Sequence, residues 1–222
     1  MVQTSVPSRA DRRADGLIRS HLSLDFVAMD VETANASASS ICQIACVEFR
    51  DGVPVDAWHS LVNPLEPFSA LNTSLHGIDT RSVENAPKFL DLVPTLSARI
   101  DQRVVASHMS FDRRSLQAAL TKNGLRDFQC RWLDTAFIAR RAWPRFSRRG
   151  YGLKSVADWC DIAFAHHNAL HDAMAAGQIL TRASAHTSRT LNDWLRVATR
   201  PGLDEPRPCM NASRSLKHAD PQ

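Results

Sequence analysis

The stretch Leu24-Asp25-Phe26-Val27-Ala28-Met29-Asp30-Val31-Glu32 limits what this chain can fold into more than any other. Both faces of the run are largely apolar, the pattern of a central strand covered on two sides. Two carboxylates close it, Asp30 and Glu32. Side chains alternate along a strand, so positions two apart share a face, with Cα atoms roughly 6–7 Å apart. Burying a carboxylate without a partner costs several kcal/mol. No Lys or Arg lies between Arg19 and Arg50 to provide one locally. The pair therefore calls for a salt bridge from elsewhere in the fold, for protonation, or for a bound cation.

The segments that follow build a sheet around that strand. SICQIACVEF and VPVDAWHSLV are two further β-rich runs, and the Asp51-Gly52 between them is a strong hairpin signal. Phe89, Leu92, Val93, Leu96 and Ile100 fall at helical spacing, with Pro94 expected to limit or kink the helix. RVVASH reads as a fourth strand, RSLQAALTKNGL as a helix stopped at Gly124, CRWLD as a fifth strand and DTAFIARRAW as an amphipathic helix. GLKSVADWC and ALHDAMAAGQIL close the domain as helices. The expected order is βββαβαβαα, an α/β fold with helices packed on a mixed sheet.

A chain of 222 residues, 44% of them hydrophobic, buries one sizeable core. Residues 1–22 are expected to be a flexible basic tail, 23–183 the domain, and 184–222 a second tail in which TLNDWLRVATR can form one short helix. No apolar run approaches the roughly 18 residues needed to cross a bilayer, and no apolar segment follows the N-terminal arginines. A cytoplasmic protein without a membrane partner is the expectation. The five cysteines show no C-x-x-C spacing and are expected to be reduced, with Cys42 and Cys46 acting as small core residues.

The net charge of +4 hides a polarised middle. Residues 25–112 hold five Lys/Arg against twelve Asp/Glu, and residues 113–154 hold eleven against two. An acidic half followed by a basic half suits a site for cations beside a surface for a polyanion; a solvated face is the plainer alternative.

Two more segments carry candidate chemistry. In HMSFD, residues 108–112, Asp112 falls in the first turn of the next helix, where the helix dipole alone favours a carboxylate. In HHNALHDA, residues 166–173, two readings compete. A continuous helix places His167 and His171 at i,i+4, a zinc-ligand spacing, although Asn168 stands where a zincin carries its glutamate. With Asn168 as N-cap instead, His167 lies just outside the helix and Asp172 within it, so their side chains can converge. His166 and His171 read as surface histidines near a helix start.

VAMDVET, HMSFD and HNALHDA, in that order, resemble the three exonuclease motifs of the DnaQ-like 3'-5' exonucleases, in the branch with four acids and a histidine (DEDDh). SLHGI at 74–78 and ENAP at 84–87 resemble the linking segment of those proteins, and the likeness covers about residues 24–183. The tyrosine branch requires Tyr where Asn168 stands, whereas the histidine branch requires the histidine found at His167. Met109 departs from the pattern, which has Asn there; this bears on a substrate or supporting hydrogen bond rather than on the carboxylates.

The resemblance implies an RNase H-like mixed β-sheet, three antiparallel strands then parallel strands, flanked by helices. It implies hydrolysis at the 3' end of nucleic acid with two Mg²⁺, for which Mn²⁺ can substitute, releasing 5'-mononucleotides; magnesium suits an all-oxygen site. Asp30, Glu32, Asp112 and Asp172 would be the metal ligands, with Asp30 bridging both ions, Glu32 and Asp172 completing the shell of the first, and Asp112 holding the second through water. His167 would take the proton of the attacking water. Thr33 and His108 would contact substrate, and Arg140, Arg141, Arg145, Arg148 and Arg149 would track the phosphate backbone. Single-stranded DNA is the favoured substrate and RNA the second, with a DNA polymerase or a homodimer as the protein partnership. Two rivals remain: a catalytically silent nucleic-acid-binding module of the same fold, and a zinc hydrolase built on His166, His167, His171 and Cys160.

Overall fold

The computed structural model describes residues 24–198. Five strands form one sheet in the order β3-β2-β1-β4-β5. They are β1 (Phe26–Thr33), β2 (Ile41–Arg50), β3 (Val53–Leu61), β4 (Val104–Ser107) and β5 (Arg131–Asp134). β1 is central: it runs antiparallel to β2, with Asp30 opposite Ala45 and Glu32 opposite Gln43, and parallel to β4, with Ala28 opposite Ala106. β3 is antiparallel to β2, and β5 parallel to β4. At the hairpin tip Asp51 (φ 49°) and Gly52 (φ 77°) both take the left-handed conformation that a tight two-residue turn demands.

The helices are α1 (Ala70–His76), α2 (Phe89–Ile100), α3 (Phe111–Lys122), α4 (Thr135–Ala142), α5 (Leu153–Trp159), α6 (Ala169–Thr187) and α7 (Leu191–Ala198), with a short 3-10 turn at Pro144–Phe146. The alternation of β1 divides six of them, α2 to α7, between two cores. Phe26 and Ala28 join Val47, Phe49 and the buried faces of α4 to α7, while Val27, Met29 and Val31 join Ile44, Cys46 and the faces of α2 and α3. This is the two-sided burial that the apolar run of β1 requires.

Helix α6 lies unusually close to the sheet. A Cβ added at Gly177 would stand 2.2 Å from the ring of Phe49, which itself stacks on Phe26 with centroids 4.7 Å apart. Only a residue without a side chain permits that approach.

Three local expectations are revised. Helix α2 is not limited by Pro94 but runs through it; Pro94 sits on the exposed face, where the Leu90 carbonyl that it leaves without a donor can face water. Helix α1 was not anticipated, because it buries no residue and so carries no apolar stripe. The expected domain end at 183 falls inside α6, and packing continues beyond it: α7 buries Leu191, Trp194 and Leu195, and the Trp194 indole donates to Ser184 Oγ at 3.0 Å. The expected tail at 1–22 lies outside the described residues, as does the chain after Ala198. Cys42, Cys46 and Cys160 are free and buried, and burial pushes the Cys42 and Cys46 thiols up to about 12. Among the described residues no helix is long and apolar enough to cross a membrane.

Candidate active site

Asp30 and Glu32 project from the end of β1 on the side covered by α6, and Asp172 comes from the first turn of that helix. One carboxylate oxygen from each of the three lies within 4.8 Å of the others. Asn168 is the N-cap: its side chain accepts from the amides of Leu170 (3.1 Å) and His171 (3.3 Å). His167 therefore lies outside the helix, in the left-handed region at φ 64°, and the i,i+4 reading with His171 fails. Gln43, opposite Glu32 on β2, accepts the Ala169 amide at 3.0 Å and pins the start of α6 to the sheet.

Asp112 enters from the other side. It lies in the first turn of α3 and is 3% exposed. Its Oδ1 accepts the Val31 amide at 3.2 Å, so it reaches β1 between the two acids of that strand without joining the close group of three.

The electrostatics follow from this crowding. Burial, and then Asp112, Asp172 and Glu32, hold the Asp30 carboxyl well above the ordinary carboxylate range. Burial followed by Asp172 pushes Glu32 up to about 7. Asp112 and Asp172 are also raised, chiefly by burial. The ion pairs of the described residues bring no Lys or Arg to these four acids; a ring nitrogen of His167 lies within 4.8 Å of the Asp172 carboxylate, and His166 donates from Nδ1 to Asp172 Oδ2 at 3.0 Å. The same oxygen receives the His167 amide at 3.3 Å, whereas Asp172 Oδ1 is buried without any hydrogen-bond partner. Of the three explanations open for the D-x-E pair, a salt bridge is thus removed. A buried acceptor with nothing to accept, amid acids that resist ionising together, fits a divalent cation held by oxygen ligands.

The end of β1 is braced by residues that the motifs do not include. Asn72 of α1 donates to the Thr33 carbonyl at 2.8 Å and to its hydroxyl at 3.3 Å. His76 Nε2 donates to the same carbonyl at 3.1 Å, while its Nδ1 accepts the Ile78 amide at 3.0 Å, which settles the neutral tautomer. Thr33 itself is buried. SLHGI marked this region in the sequence, but not what it holds.

His166 is exposed, as expected, yet it is part of the site through Asp172, and its ring stacks on His167 with centroids 4.0 Å apart. A local signal existed: six residues separate it from Asp172 across a helix start. His166, His167 and Asp172 form a second group able to hold a metal, but His171 and Cys160 belong to neither group, so the four-residue zinc set is not assembled.

The expected substrate contact at His108 is corrected. The ring is buried, accepts from the Thr135 hydroxyl at Nδ1 (2.9 Å) and donates from Nε2 to the Tyr151 carbonyl (2.8 Å), so no ring nitrogen is left for a ligand. His108 instead clasps the loop before α3 to the start of α4 and to the segment after the arginines. Met109 has φ 72°, a conformation that Asn adopts far more readily; its turn is held by its amide to Asp134 Oδ1 (2.8 Å) and by Ser107 Oγ to its carbonyl (3.0 Å).

The five arginines stand on α4, on the 3-10 turn and in the loop that follows. Arg140 is exposed over the Tyr151 ring (4.8 Å), Arg141 lies over Phe137 (3.3 Å), and Arg145 is near the Phe146 ring (5.9 Å). Arg148 and Arg149 are exposed in the following loop.

Comparison with known proteins places this geometry. The exonuclease family of RNase T matches residues 27–180. Among curated relatives, the DNA polymerase III PolC-type of Thermotoga petrophila is 28% identical over 161 residues, 71% of this chain and 12% of its own length. The PolC-type protein of Latilactobacillus sakei is 30% identical over 162 residues, 71% of this chain and 11% of its own length. The chain thus spans about an eighth of these relatives. Among solved structures, Exonuclease X in complex with 5' overhanging duplex DNA superposes with a TM-score of 0.64 at 24% identity, covering 78% of this chain and 98% of that one. The nuclease domain of 3'hExo, a DEDDh family member bound to rAMP, gives 0.58 at 17% identity, covering 71% and 90%. The matched span runs from the strand that carries Asp30 to beyond the helix turn that carries Asp172, and the chain belongs to this exonuclease family, as a DnaQ-like nuclease with an RNase H-like fold.

Proposed function

We propose that the chain hydrolyses phosphodiester bonds from the 3' end of nucleic acid, with two divalent ions, releasing 5'-mononucleotides. The observation that carries this reading is the group of Asp30, Glu32 and Asp172, with oxygens within 4.8 Å of one another and Asp172 Oδ1 buried without a partner. Asp30, Glu32 and Asp172 would hold one ion, and Asp30 with Asp112 the other; magnesium is the first choice for such a donor set and manganese the substitute. When bound, the ions supply positive charge against the attacking and leaving oxygens.

The remaining work falls to side chains and backbone. Burial, and then His166, hold the His167 imidazole below its usual value, so it is neutral near pH 7 and can accept the proton of the attacking water. Its backbone is anchored through its amide to Asp172 Oδ2, which keeps base and acid in register. Thr33, braced by Asn72 and His76, borders the acids where the terminal nucleotide would sit. Arg140, Arg141, Arg145, Arg148 and Arg149 provide positive charge for the phosphate backbone, with binding that weakens as salt rises. Single-stranded DNA is the first substrate and RNA the second. A DNA polymerase partner is a further expectation, motivated by the PolC-type relatives, and co-purification tests it.

Matched 5'-labelled single-stranded DNA and RNA oligonucleotides, incubated with Mg²⁺, with EDTA and with Asp30→Ala protein, test the reading. A ladder shortening from the 3' end, lost with chelator and variant, is expected. Binding without cleavage under Mg²⁺ or Mn²⁺ would identify a silent module instead.

A further inference from the structure

Asp172 belongs to two groups of candidate metal ligands. With Asp30 and Glu32 it offers carboxylates alone, and with His166 and His167 it offers one carboxylate and two imidazoles. In each group the ligand atoms lie within 4.8 Å of one another. The two donor sets select different ions: magnesium takes oxygen, whereas zinc and its neighbours in the transition series accept imidazole nitrogen. We propose that His166, His167 and Asp172 form a site for Zn²⁺, or for another divalent ion that accepts imidazole, and that filling it stops hydrolysis. This assignment rests on the nuclease reading for its effect on turnover, though not for the site itself.

The backbone brings the two imidazoles together. Consecutive side chains of an extended segment point to opposite sides. His167 instead takes φ 64°, and its ring stacks on that of His166 with centroids 4.0 Å and planes 18° apart. The His166 ring is held further by its Nδ1 hydrogen bond to Asp172 Oδ2 at 3.0 Å and by the Phe164 ring at 5.5 Å, so a side chain that is 34% exposed has a fixed place. Asp172 is 4% exposed, and its Oδ1 has no hydrogen-bond partner. Two ligands of one tetrahedral zinc stand about 3.3 Å apart, close to the separation of His166 Nδ1 and Asp172 Oδ2. The ion enters between them as the Nδ1 proton passes through solvent to Nε2, which leaves the imidazole neutral. His76 has both ring nitrogens engaged, by the Thr33 carbonyl and the Ile78 amide, and His171 belongs to neither group. Three protein ligands therefore serve the ion, and water takes the fourth position.

Zinc bound there competes with hydrolysis at two points. It draws Asp172 away from Asp30 and Glu32, so the oxygen set loses a member. It also occupies His167, and a neutral imidazole has one ring lone pair, which accepts a proton or a metal but not both. The plainer role for His166 is a brace that orients Asp172 through one hydrogen bond. A brace and a ligand differ in one measurable respect: replacing a brace changes the hold of the carboxylates on Mg²⁺ and leaves zinc affinity where it was.

Zinc binding to the full chain is measured by calorimetry, with Co²⁺ as the spectroscopic substitute whose visible bands report nitrogen ligation. The proteins are the wild type, His166→Gln, His166→Asn and Asp30→Asn. Both His166 variants are expected to bind Zn²⁺ on the order of 100-fold more weakly, since losing a ligand costs no less than losing the group that orients one. Asp30→Asn, which disrupts the carboxylate group alone, should bind Zn²⁺ as the wild type does. In oligonucleotide hydrolysis with Mg²⁺, added Zn²⁺ should inhibit the wild type. Each His166 variant, compared with its own zinc-free rate, should need on the order of 100-fold more for the same inhibition. Wild-type zinc affinity in both His166 variants would overturn the inference, as would loss of zinc binding in Asp30→Asn, which would put the ion among the carboxylates. Hydrolysis sustained by Zn²⁺ alone at the Mg²⁺ rate would overturn the inhibitory role. Zinc binding that depends on His166, in a protein that cleaves nothing with Mg²⁺ or Mn²⁺, would overturn the nuclease reading and leave the zinc site standing. Cleavage with Mg²⁺ but no zinc binding that depends on His166 would do the reverse.

Discussion

Each acid of the cluster is held in place by main chain or by burial: Asp112 by the Val31 amide, Asp172 by the His167 amide, and Asp30 and Glu32 by a strand that both cores enclose. The arginines of residues 113–149 are exposed apart from the half-buried Arg141, and Arg140, Arg141 and Arg145 lie against aromatic rings, Arg140 on Tyr151 and also on the Ser147 oxygen. The acids are thus placed to within the reach of a ligand bond, at the cost of mutual repulsion. The arginines create a field whose effect depends on number rather than on the position of any one. Removing one acid should therefore be decisive, and removing one arginine should be marginal.

The sharpest contrast is expected at Asp30. Asp30→Asn should lower turnover by several kcal/mol of transition-state stabilisation, on the order of 10³-fold or more. It should also raise the melting temperature of the metal-free protein at pH 8, because it removes the most crowded charge. Oligonucleotide hydrolysis and thermal melts in EDTA measure both, and a lower melting temperature would show that the cluster is not under electrostatic strain.

His167→Ala should reduce kcat by about 10²–10³-fold with little change in KM. Loss of affinity at unchanged kcat, in steady-state assays, would remove His167 from the role of base.

Gly177→Ala should cost about 1–3 kcal/mol of stability by overpacking against Phe49. Because Asp172 rides on the same helix, the variant should also need more Mg²⁺ for half-maximal activity. Denaturant titration and a metal titration separate the two effects; a loss of stability with an unchanged metal requirement would mean that the site does not sense the position of α6.

Metal-free wild type should be more stable at pH 5 than at pH 8. Glu32 titrates near 7 in the folded chain, against about 4.3 for an ordinary glutamate. The stability linked to its protonation is complete below the lower value and is lost as pH rises through the higher. Adding Mg²⁺ should flatten this dependence, and parallel melts with and without the ion would show whether it does.

The smallest effects are expected at the loop arginines. Arg148→Ala or Arg149→Ala should leave stability within about 0.5 kcal/mol and raise KM modestly at low salt. A hundredfold loss from either would mean that the basic surface is as exacting as the acidic one.

Much of this arrangement is legible from residue order because its rules are local. Period two puts Asp30 and Glu32 on one face, Asp51-Gly52 turns the hairpin, and Asn168 marks a helix start with His167 outside it. What depends on distant packing is not legible. Asn72 and His76 sit on a helix that buries nothing, and their function appears only when Thr33 is brought to them from 39 and 43 residues away. The ring of His108 bridges elements 27 and 43 residues further on, which no spacing within HMSFD reveals. Trp194 becomes a core residue because α7 packs into the cluster beside α6, where Ser184 accepts its indole N–H.

The contact at Gly177 gives Phe49 the role of a gauge. One face of its ring lies against Phe26, four residues before Asp30 on β1, and it meets Gly177, five residues after Asp172 on α6. Phe26 and Phe49 are register partners on β1 and β2, so their rings stack side by side across the sheet, and the far edge of the Phe49 ring sets how closely α6 approaches the sheet that carries the opposing acids. The bore of the site is calibrated by a hydrocarbon spacer in the core, where neither solvent nor substrate can alter it.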